Sequence, residues 1–365
     1  MPGNIARLFP ECGQSAWLDN IQRNQILSGE LAKIRDRGVR GLTSNPAIFQ
    51  KAIQGSSDYD LQFSQLLQSN LAIEDAYWEM VLQDIEGALS VFRPVFDASA
   101  GTDGFVSVEV DPRLAHDTEG TIKAARWLRN RIEPPNVMIK IPATQAGIPA
   151  IEQMIAEGCN VNVTLIFSIP RYEEVMEAYL RGLERLKDAG GNLGSVASVA
   201  SFFISRVDSE VDKQLEAAGH QELLGTAAVN QGVLAYARFR EVFSGPRWKD
   251  LEQSGAQVQR PLWASTSTKN PSYPDTLYVD TLIGPDTVNT LPENTLEAFD
   301  DHGTPIRSID TAVSKAREQW SALAHHGVDV DKVADKLEAE GVAAFIKAFD
   351  ELLEVLSQKA QTFTH

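Results

Sequence analysis

Short runs of apolar and β-branched residues alternate along this chain with longer amphipathic segments. Runs of this length predict buried strands, whereas apolar residues that recur every three or four positions predict helices. The predicted strands cover residues 16–20, 41–45, 105–110, 136–143, 161–168, 195–203, 261–268 and 280–288. The clearest helical patterns cover residues 72–96, 169–190 and 335–361.

Strands that alternate with helices predict βα units and therefore a parallel sheet. Eight predicted strands favour a (β/α)8 TIM-type barrel, with a doubly wound open sheet as the alternative. No GxGxxG motif follows a predicted strand, so the dinucleotide-binding form of the open sheet has no support. We expect residues 1–365 to form one α/β-barrel domain with helical insertions and a C-terminal helical extension.

The net charge of −17 argues against a general affinity for nucleic acid or anionic membranes. An anionic substrate would therefore need a local basic pocket. Cys12 and Cys159 lack metal-binding spacing, and we interpret both as reduced thiols of a cytosolic protein. The N-terminus does not resemble a signal peptide, and no apolar run is long enough to span a bilayer. We expect a soluble cytoplasmic protein without a metal or cofactor.

One charged residue interrupts the fourth predicted strand, "NVMIKIPA". This residue, Lys140, is flanked by apolar positions, and lysine is almost never fully buried without a partner. On an edge strand the side chain could reach solvent along its aliphatic stem. Away from water, by contrast, its amine pKa falls and the neutral amine can form a Schiff base with a carbonyl compound.

Other polar residues lie late in the predicted strands, and in a barrel these strand ends meet at one mouth. Glu109 could protonate a Schiff-base intermediate if burial raises its pKa, or it could form an ion pair with Lys140; the two roles can coexist. Thr164 could hold a catalytic water, although threonine is common in strands. Asp19 could act as a base at a substrate hydroxyl, or cap the following helix.

Further strand-end residues are candidates for substrate binding. Asn45, before Pro46, could bind sugar hydroxyls or cap a turn, and Asn162 needs a polar partner, either a sugar hydroxyl or a neighbouring backbone group. Arg206 suits a phosphate dianion because it donates in a fork, with a surface salt bridge as the alternative. Lys269 would be a second cation. The serines at the same strand ends include Ser201 and Ser267.

Five motifs in order resemble those of transaldolases, over roughly residues 15 to 290. The motifs are "GLTSNPAIF" (41–49), "VEVDPRLAHDTEGT" (108–121), "MIKIPATQAGI" (138–148), "NVTLIFS" (162–168) and "SVASFFISRVD" (198–208). The segment that begins "LWASTSTKNP" resembles the longer bacterial transaldolases. At the position where shorter transaldolases appear to have an arginine, this segment carries Lys269, which would bind phosphate as a point charge.

This resemblance implies a metal-independent transaldolase of the non-oxidative pentose phosphate pathway on an α/β barrel. Such enzymes move a dihydroxyacetone unit from fructose 6-phosphate or sedoheptulose 7-phosphate to glyceraldehyde 3-phosphate or erythrose 4-phosphate. The roles implied by motif position are Schiff-base formation for Lys140, water binding for Glu109 and Thr164, acid/base catalysis for Asp19, hydroxyl binding for Asn45, Asn162 and Ser201, and phosphate binding for Arg206, with Ser267 and Lys269 nearby.

Two other functions remain open at this point. A fructose-6-phosphate aldolase would use the same lysine and barrel but would release free dihydroxyacetone. A regulatory barrel that only binds sugar phosphates should have lost the lysine or an acid, and this chain retains both. The sequence does not distinguish a monomer from a homodimer.

Overall fold

A computed structural model describes residues 3–363 as a closed barrel of eight parallel strands that pair in chain order. This confirms the predicted (β/α)8 barrel and excludes the doubly wound open sheet. The strands are β1 Gln14–Leu18, β2 Leu42–Thr43, β3 Val106–Glu109, β4 Val137–Pro142, β5 Val161–Ile166, β6 Ser198–Phe203, β7 Gln259–Ala264 and β8 Thr287–Leu291.

Helices connect the strands and cover the outside of the barrel. They are α1 Asn4–Cys12, α2 Arg23–Leu27, α3 Glu30–Asp36, α4 Pro46–Gln54, α5 Asp60–Gln68, α6 Ile73–Ala98, α7 Thr118–Arg131, α8 Gly147–Ala156, α9 Ile169–Asp188, α10 Ser205–Ala218, α11 Ala227–Val242, α12 Pro246–Gln253, α13 Leu277–Asp280, α14 Glu293–His302, α15 Val313–His325 and α16 Val330–Phe363. The three clearest helical patterns in the sequence correspond to α6, α9 and α16. Within residues 3–363, no helix is both long and apolar enough to cross a membrane.

The prediction of the eighth strand was largely wrong. Residues 280–288 were predicted, but β8 shares only residues 287 and 288 with that range. Leu282 and Ile283 are fully buried, which produced the apolar run, yet they lie in a loop after α13. The carbonyl of Ile283 accepts hydrogen bonds from the backbone of Ser308 and Ile309, so its partner is a neighbouring loop and not a strand.

The strand register positions the polar residues of the mouth. β3 and β4 pair with Glu109 opposite Lys140, and β4 and β5 pair with Lys140 opposite Asn162. The barrel is closed between β1 and β8 by five residue pairs, from Gln14 opposite Thr287 to the C-terminal end of β1. Glu109, Lys140 and Asn162 therefore lie side by side on the neighbouring strands β3, β4 and β5.

The last helix, α16, has 34 residues and passes over the C-terminal ends of the strands. Its residue Glu351 accepts a hydrogen bond from Gln50 of α4 at 2.9 Å. Lys336 forms an ion pair with Glu210 of α10 at 2.7 Å. These two contacts hold α16 against α4 and α10, which follow β2 and β6.

A buried carboxylate ties together the N-terminal ends of the strands, opposite the mouth. Asp103 is 1% exposed and accepts hydrogen bonds from Ser15 and from the indole of Trp17, the latter at 2.9 Å. Its oxygens also lie 2.7 Å from Arg40 and 3.4 Å from Arg260. This one side chain joins residues of β1 and β7 and the segments before β2 and β3.

We expect the substitution Asp103→Ala to lower the free energy of unfolding by about 3–5 kcal/mol, because it leaves two arginine charges without their buried partner. Urea unfolding of both proteins would measure the difference. The matched control is Asp97→Ala, which breaks an exposed Arg93–Asp97 pair and should change stability by no more than about 0.5 kcal/mol. Equal effects of the two substitutions would contradict the role of Asp103.

Candidate active site

Lys140 is buried near the C-terminal end of β4 with only 4% of its surface exposed. Its Nζ lies 3.1 Å from Oε2 of Glu109 and donates a hydrogen bond to the carbonyl oxygen of Ser44 at 3.2 Å. Because β4 lies between β3 and β5 in a closed barrel, the interpretation of Lys140 as an edge-strand lysine that reaches solvent is wrong. A charged amine in this position depends on its protein partners for the stabilisation that water would otherwise provide.

Glu109 is the acid beside this lysine. Burial raises the pKa of its carboxyl group, and the positive charge of Lys140 acts in the opposite direction. The negative charge of Asp19 raises the pKa further. Both roles predicted for Glu109 are compatible with this geometry: it forms the ion pair with Lys140, and its raised pKa suits a proton donor.

Asp19 follows β1 and accepts a hydrogen bond from the hydroxyl of Thr43 at 2.8 Å. Burial raises the pKa of this carboxyl group, while the charge of Lys140 and the hydrogen bond from Thr43 oppose the shift. The alternative interpretation, that Asp19 caps the following helix, is wrong. The N-cap of α2 is Gln22, and no side chain caps that helix end.

Thr164 is fully buried in β5, and within residues 3–363 its hydroxyl has no hydrogen-bond partner. The next residue, Leu165, has a left-handed backbone with φ of 60°, and the pairing of β5 with β6 shifts register at this point. Ser265, directly after β7, has a φ of 55°. Such backbone in residues other than glycine is strained and concentrates at functional sites.

Asn162 lies beneath the mouth. Its amide donates to the hydroxyl of Ser107 at 3.0 Å, and its Oδ1 accepts from the hydroxyl of Ser201 at 2.7 Å. The partners of Asn162 are therefore two serine hydroxyls and not the backbone group that the sequence suggested as one option. In this arrangement Asn162 orients Ser201, which itself faces the cavity.

Arg206 and Lys269 form the basic part of the mouth. Among residues 3–363, no ion pair joins either side chain to a carboxylate, so the salt-bridge interpretation of Arg206 is wrong. Lys269 donates to the hydroxyl of Ser267 at 2.9 Å. Its pKa is lowered by burial and by the nearby charge of Arg206. Two cations held close together without a carboxylate partner form a site for an anion.

Hydrogen bonds connect the segment between β7 and β8 to α10, whose first turn contains Arg206. The hydroxyl of Tyr273 donates to Asp212, and that of Tyr278 donates to Asp208, both at 2.7 Å. Burial raises the pKa of Asp208 to about 6. These two bonds hold the segment that contains Lys269 in a fixed position relative to α10.

One cavity of about 580 Å3, counted with its open mouth, contains most of these groups. The predicted residues that line it are Asp19, Asn45, Lys140, Thr164, Ser201, Arg206, Ser267 and Lys269. Glu109 reaches it through its contact with Lys140, whereas Asn162 does not line it. Asn45 also caps α4, because its Oδ1 accepts from the backbone of Ile48 at 3.0 Å.

Sequence reasoning did not identify several other residues that line this cavity, among them Phe345, which comes from α16. Its ring centroid lies 5.7 Å from Nζ of Lys140. Nothing in the helical pattern of residues 335–361 indicates which apolar side chain faces the barrel.

No group of three or more metal-binding side chains occurs in the described range 3–363. The cavity can therefore bring a buried amine, two carboxyl groups and two cations to one substrate.

Comparisons with known proteins agree with this arrangement. The model of the transaldolase/fructose-6-phosphate aldolase family matches residues 16–356. "Transaldolase 1" from Streptomyces avermitilis is 50% identical over 359 residues, which are 97% of this chain and 95% of that protein. "Transaldolase" from Acidothermus cellulolyticus is 51% identical over 354 residues, 96% and 95% of the two chains. "Transaldolase" from Thermobifida fusca is 47% identical over 367 residues, 99% and 100% of the two chains. The chain belongs to the transaldolase/fructose-6-phosphate aldolase family.

Proposed function

We propose that this protein is a transaldolase that carries a dihydroxyacetone unit on Lys140 as a Schiff base. The donors are fructose 6-phosphate or sedoheptulose 7-phosphate, and the acceptors are glyceraldehyde 3-phosphate or erythrose 4-phosphate. The observation that carries the proposal is the buried Lys140, 3.1 Å from Glu109, in a cavity that Arg206 and Lys269 also line. Nearly full-length similarity to proteins named transaldolase supports it.

The first step requires a neutral amine. Glu109, whose carboxyl pKa is raised by burial, lies 3.1 Å from the amine and is the group placed to accept its proton. The amine then adds to the ketose carbonyl carbon C2 to form a carbinolamine. Glu109 returns its proton to the departing hydroxyl, and a protonated imine and water result. The unpartnered hydroxyl of Thr164 is suited to hold this water.

The second step breaks a carbon–carbon bond. Asp19 removes the proton from the C4 hydroxyl, the bond between C3 and C4 breaks, and its electron pair moves into the imine to form an enamine. The aldose phosphate leaves with the new carbonyl group. When an acceptor aldehyde replaces it, the enamine carbon attacks, Asp19 returns the proton to the new alkoxide, and the imine forms again on Lys140. One water then adds to this imine, and the carbinolamine breaks to give the product ketose phosphate and the free lysine amine. The raised pKa of Asp19 matches a group that alternates between base and acid.

Recognition of the sugar phosphate falls to the other groups in the cavity. Arg206 would bind the phosphate in a fork and Lys269 as a point charge, close to Ser267. Asn45 and Ser201 would bind sugar hydroxyls, with Asn162 behind Ser201. The local positive charge of Arg206 and Lys269, neither of which forms an ion pair within residues 3–363, explains how a protein of net charge −17 attracts an anionic substrate.

The same chemistry would support a fructose-6-phosphate aldolase, and the family name includes both activities. The relatives at about half identity are named transaldolase, which favours transfer over release. We place the enzyme in the cytoplasm, since Cys12 and Cys159 are both free and buried. The chain would act as one barrel domain that needs no metal or cofactor.

Borohydride trapping tests the proposal directly. Incubation with fructose 6-phosphate followed by reduction should leave a three-carbon adduct on Lys140, located by mass spectrometry of the digested protein. The variant Lys140→Arg should carry no adduct, because a guanidinium group does not form the imine. As a matched control, Lys332→Arg changes an exposed lysine of α16 and should be labelled like the parent. A folded parent protein without an adduct would overturn the Schiff-base mechanism.

We expect Asp19→Asn to lower kcat by about 10²- to 10⁴-fold, the usual contribution of a general acid/base. It should not destabilise the protein at neutral pH. The pKa of Asp19 is higher in the folded state than in the unfolded state, so its ionised form lowers stability once the pH rises through these values.

The variant should therefore melt at the same or a higher temperature than the parent near pH 7, and any gain should shrink as the pH falls towards about 4. Thermal melts of both proteins between about pH 4 and pH 7 would measure this difference in melting temperature. Asp350→Asn, which changes an exposed residue of α16, serves as control and should show no such pH dependence. A loss of stability at every pH would contradict the direction of the pKa shift.

Arg206→Ala should raise KM for fructose 6-phosphate by about tenfold or more, because a charge-assisted hydrogen bond is lost. Lys269→Ala should have a smaller effect in the same direction. Neither substitution should change kcat/KM for unphosphorylated fructose by a comparable factor. Steady-state kinetics with both sugars measures this contrast. An equal loss with both sugars would indicate structural damage and not lost phosphate binding.

A further inference from the structure

Two buried threonine hydroxyls lie behind Asp19. The hydroxyl of Thr43 lies 2.8 Å from Oδ1 of Asp19 and 2.6 Å from the hydroxyl of Thr290. Both threonines are 2% exposed, and both line the active-site cavity. The proposed mechanism uses Asp19 as base and acid but assigns no role to these two hydroxyls.

The order of the strands brings the three side chains together. The first strand, β1, lies between β2 and β8 and pairs with both. Asp19 directly follows β1, Thr43 is the last residue of β2, and Thr290 is the next-to-last residue of β8. The two strands that flank β1 therefore each supply one hydroxyl at the place where the carboxyl group of Asp19 enters the cavity.

The direction of each hydrogen bond follows from the number of protons. A threonine hydroxyl has one proton to donate, and an ionised carboxylate has none. Because Thr43 donates its proton to Asp19, it must accept in its contact with Thr290. The donors therefore run in one direction, from Thr290 to Thr43 to the carboxylate.

We propose that Thr290 and Thr43 form a pair of hydroxyls that fixes the orientation of the Asp19 carboxylate and keeps it ready to act as a base. The inference rests on the proposed function, in which Asp19 removes the proton from the C4 hydroxyl of the sugar. Both threonines are positioning residues, because they act through Asp19 and exchange no proton with the substrate.

One oxygen of Asp19 is used by this contact and the other is left for the substrate. Thr43 donates to Oδ1, and among residues 3–363 no donor contacts Oδ2. The hydrogen bond to Oδ1 fixes the rotation of the carboxylate, so that Oδ2 has a defined position in the cavity. A base must lie within hydrogen-bond reach of the proton that it removes, so a fixed orientation favours proton transfer.

The surroundings of Asp19 explain why its charge needs such a donor. Burial raises the pKa of this carboxyl group, whereas the charge of Lys140 and the hydrogen bond from Thr43 oppose the shift. The charge of the lysine is lost while its amine is neutral, but the hydrogen bond remains. The charged groups that face Asp19 are Lys140, Glu109, Lys51, Arg206 and Lys269. Substitution of the two threonines leaves all of these groups in place.

The test removes each hydroxyl and nearly keeps the shape of the side chain. We expect Thr43→Val to lower kcat/KM for transfer from fructose 6-phosphate to erythrose 4-phosphate by about tenfold at neutral pH, because a hydrogen bond to a charged group is lost. The acid limb of the pH profile of kcat/KM should also move to higher pH, because the neutral form of Asp19 persists further. Thr43→Ser retains the hydroxyl and should restore both values towards those of the parent.

Thr290→Val tests the second hydroxyl. Thr43 can still donate to Asp19 in this variant, but its own orientation is no longer fixed. We expect a smaller loss of kcat/KM and a smaller shift of the acid limb, both in the same direction as for Thr43→Val. Thr290→Ser should remain close to the parent.

Borohydride trapping separates a slower cleavage step from general damage. Reduction soon after mixing with fructose 6-phosphate traps on Lys140 either the intact six-carbon sugar phosphate, before cleavage, or the three-carbon unit, after cleavage. Formation of the imine depends on Glu109 and not on Asp19. We therefore expect Thr43→Val to raise the ratio of six-carbon to three-carbon adduct by about tenfold, measured by mass spectrometry.

A third threonine provides the matched control. Thr266 is fully buried, its hydroxyl donates to Oδ1 of Asn289 at 2.9 Å, and it does not line the cavity. Thr266→Val removes a buried hydroxyl beside β8 without a contact to Asp19, so the pH profile and the adduct ratio should match the parent. An unchanged profile and ratio in either folded valine variant, or the same changes in Thr266→Val, overturn the inference.

Failure of this inference is distinguishable from failure of the proposed function. Trapping in the parent protein reports whether Lys140 forms the imine at all. An adduct in the parent, together with unchanged valine variants, rejects the role of Thr43 and Thr290 and leaves the Schiff-base mechanism in place. If the folded parent forms no adduct, the proposed function fails, and the role of the two threonines fails with it.

Discussion

The exclusion of water from the centre of the barrel is the constraint on which the rest of this structure depends. Within β4, Lys140 is only 4% exposed and is stabilised by Glu109 and a backbone carbonyl. Burial also raises the pKa values of Glu109 and Asp19, against the opposing charge of Lys140. The burial of the site therefore sets the proton affinity of both carboxyl groups beside the lysine.

The N-terminal end of the barrel contributes to stability, whereas the mouth carries the residues proposed for function. At the N-terminal end, Asp103 forms ion pairs with both Arg40 and Arg260. At the mouth, Arg206 and Lys269 are held close together without a carboxylate partner in the described part of the chain, an arrangement that favours an anion but destabilises the empty protein. The ion-paired end can hold the strands in position while the mouth keeps its charges available for substrate.

Much of the barrel and of the site was predictable because both depend on local patterns. A period of two or of 3.6 residues identifies strands and helices, and polar residues late in parallel strands must meet at one mouth. Tertiary effects were not predictable. The buried loop at Leu282 has the apolar pattern of a strand. The left-handed backbone of Leu165 is imposed by its surroundings. The apolar pattern of α16 does not indicate that Phe345 reaches the lysine.

The shortness of β2 has a consequence for how the barrel opens. With two residues, β2 meets β1 at a single register pair, Leu18 opposite Leu42, whereas β6 and β7 pair over six residues. We expect the β1–β2 seam to separate more readily than the β6–β7 seam, because fewer paired residues must come apart. Asp19 and Asn45 follow the two strands of this seam. Local opening there would widen the cavity beside these two residues.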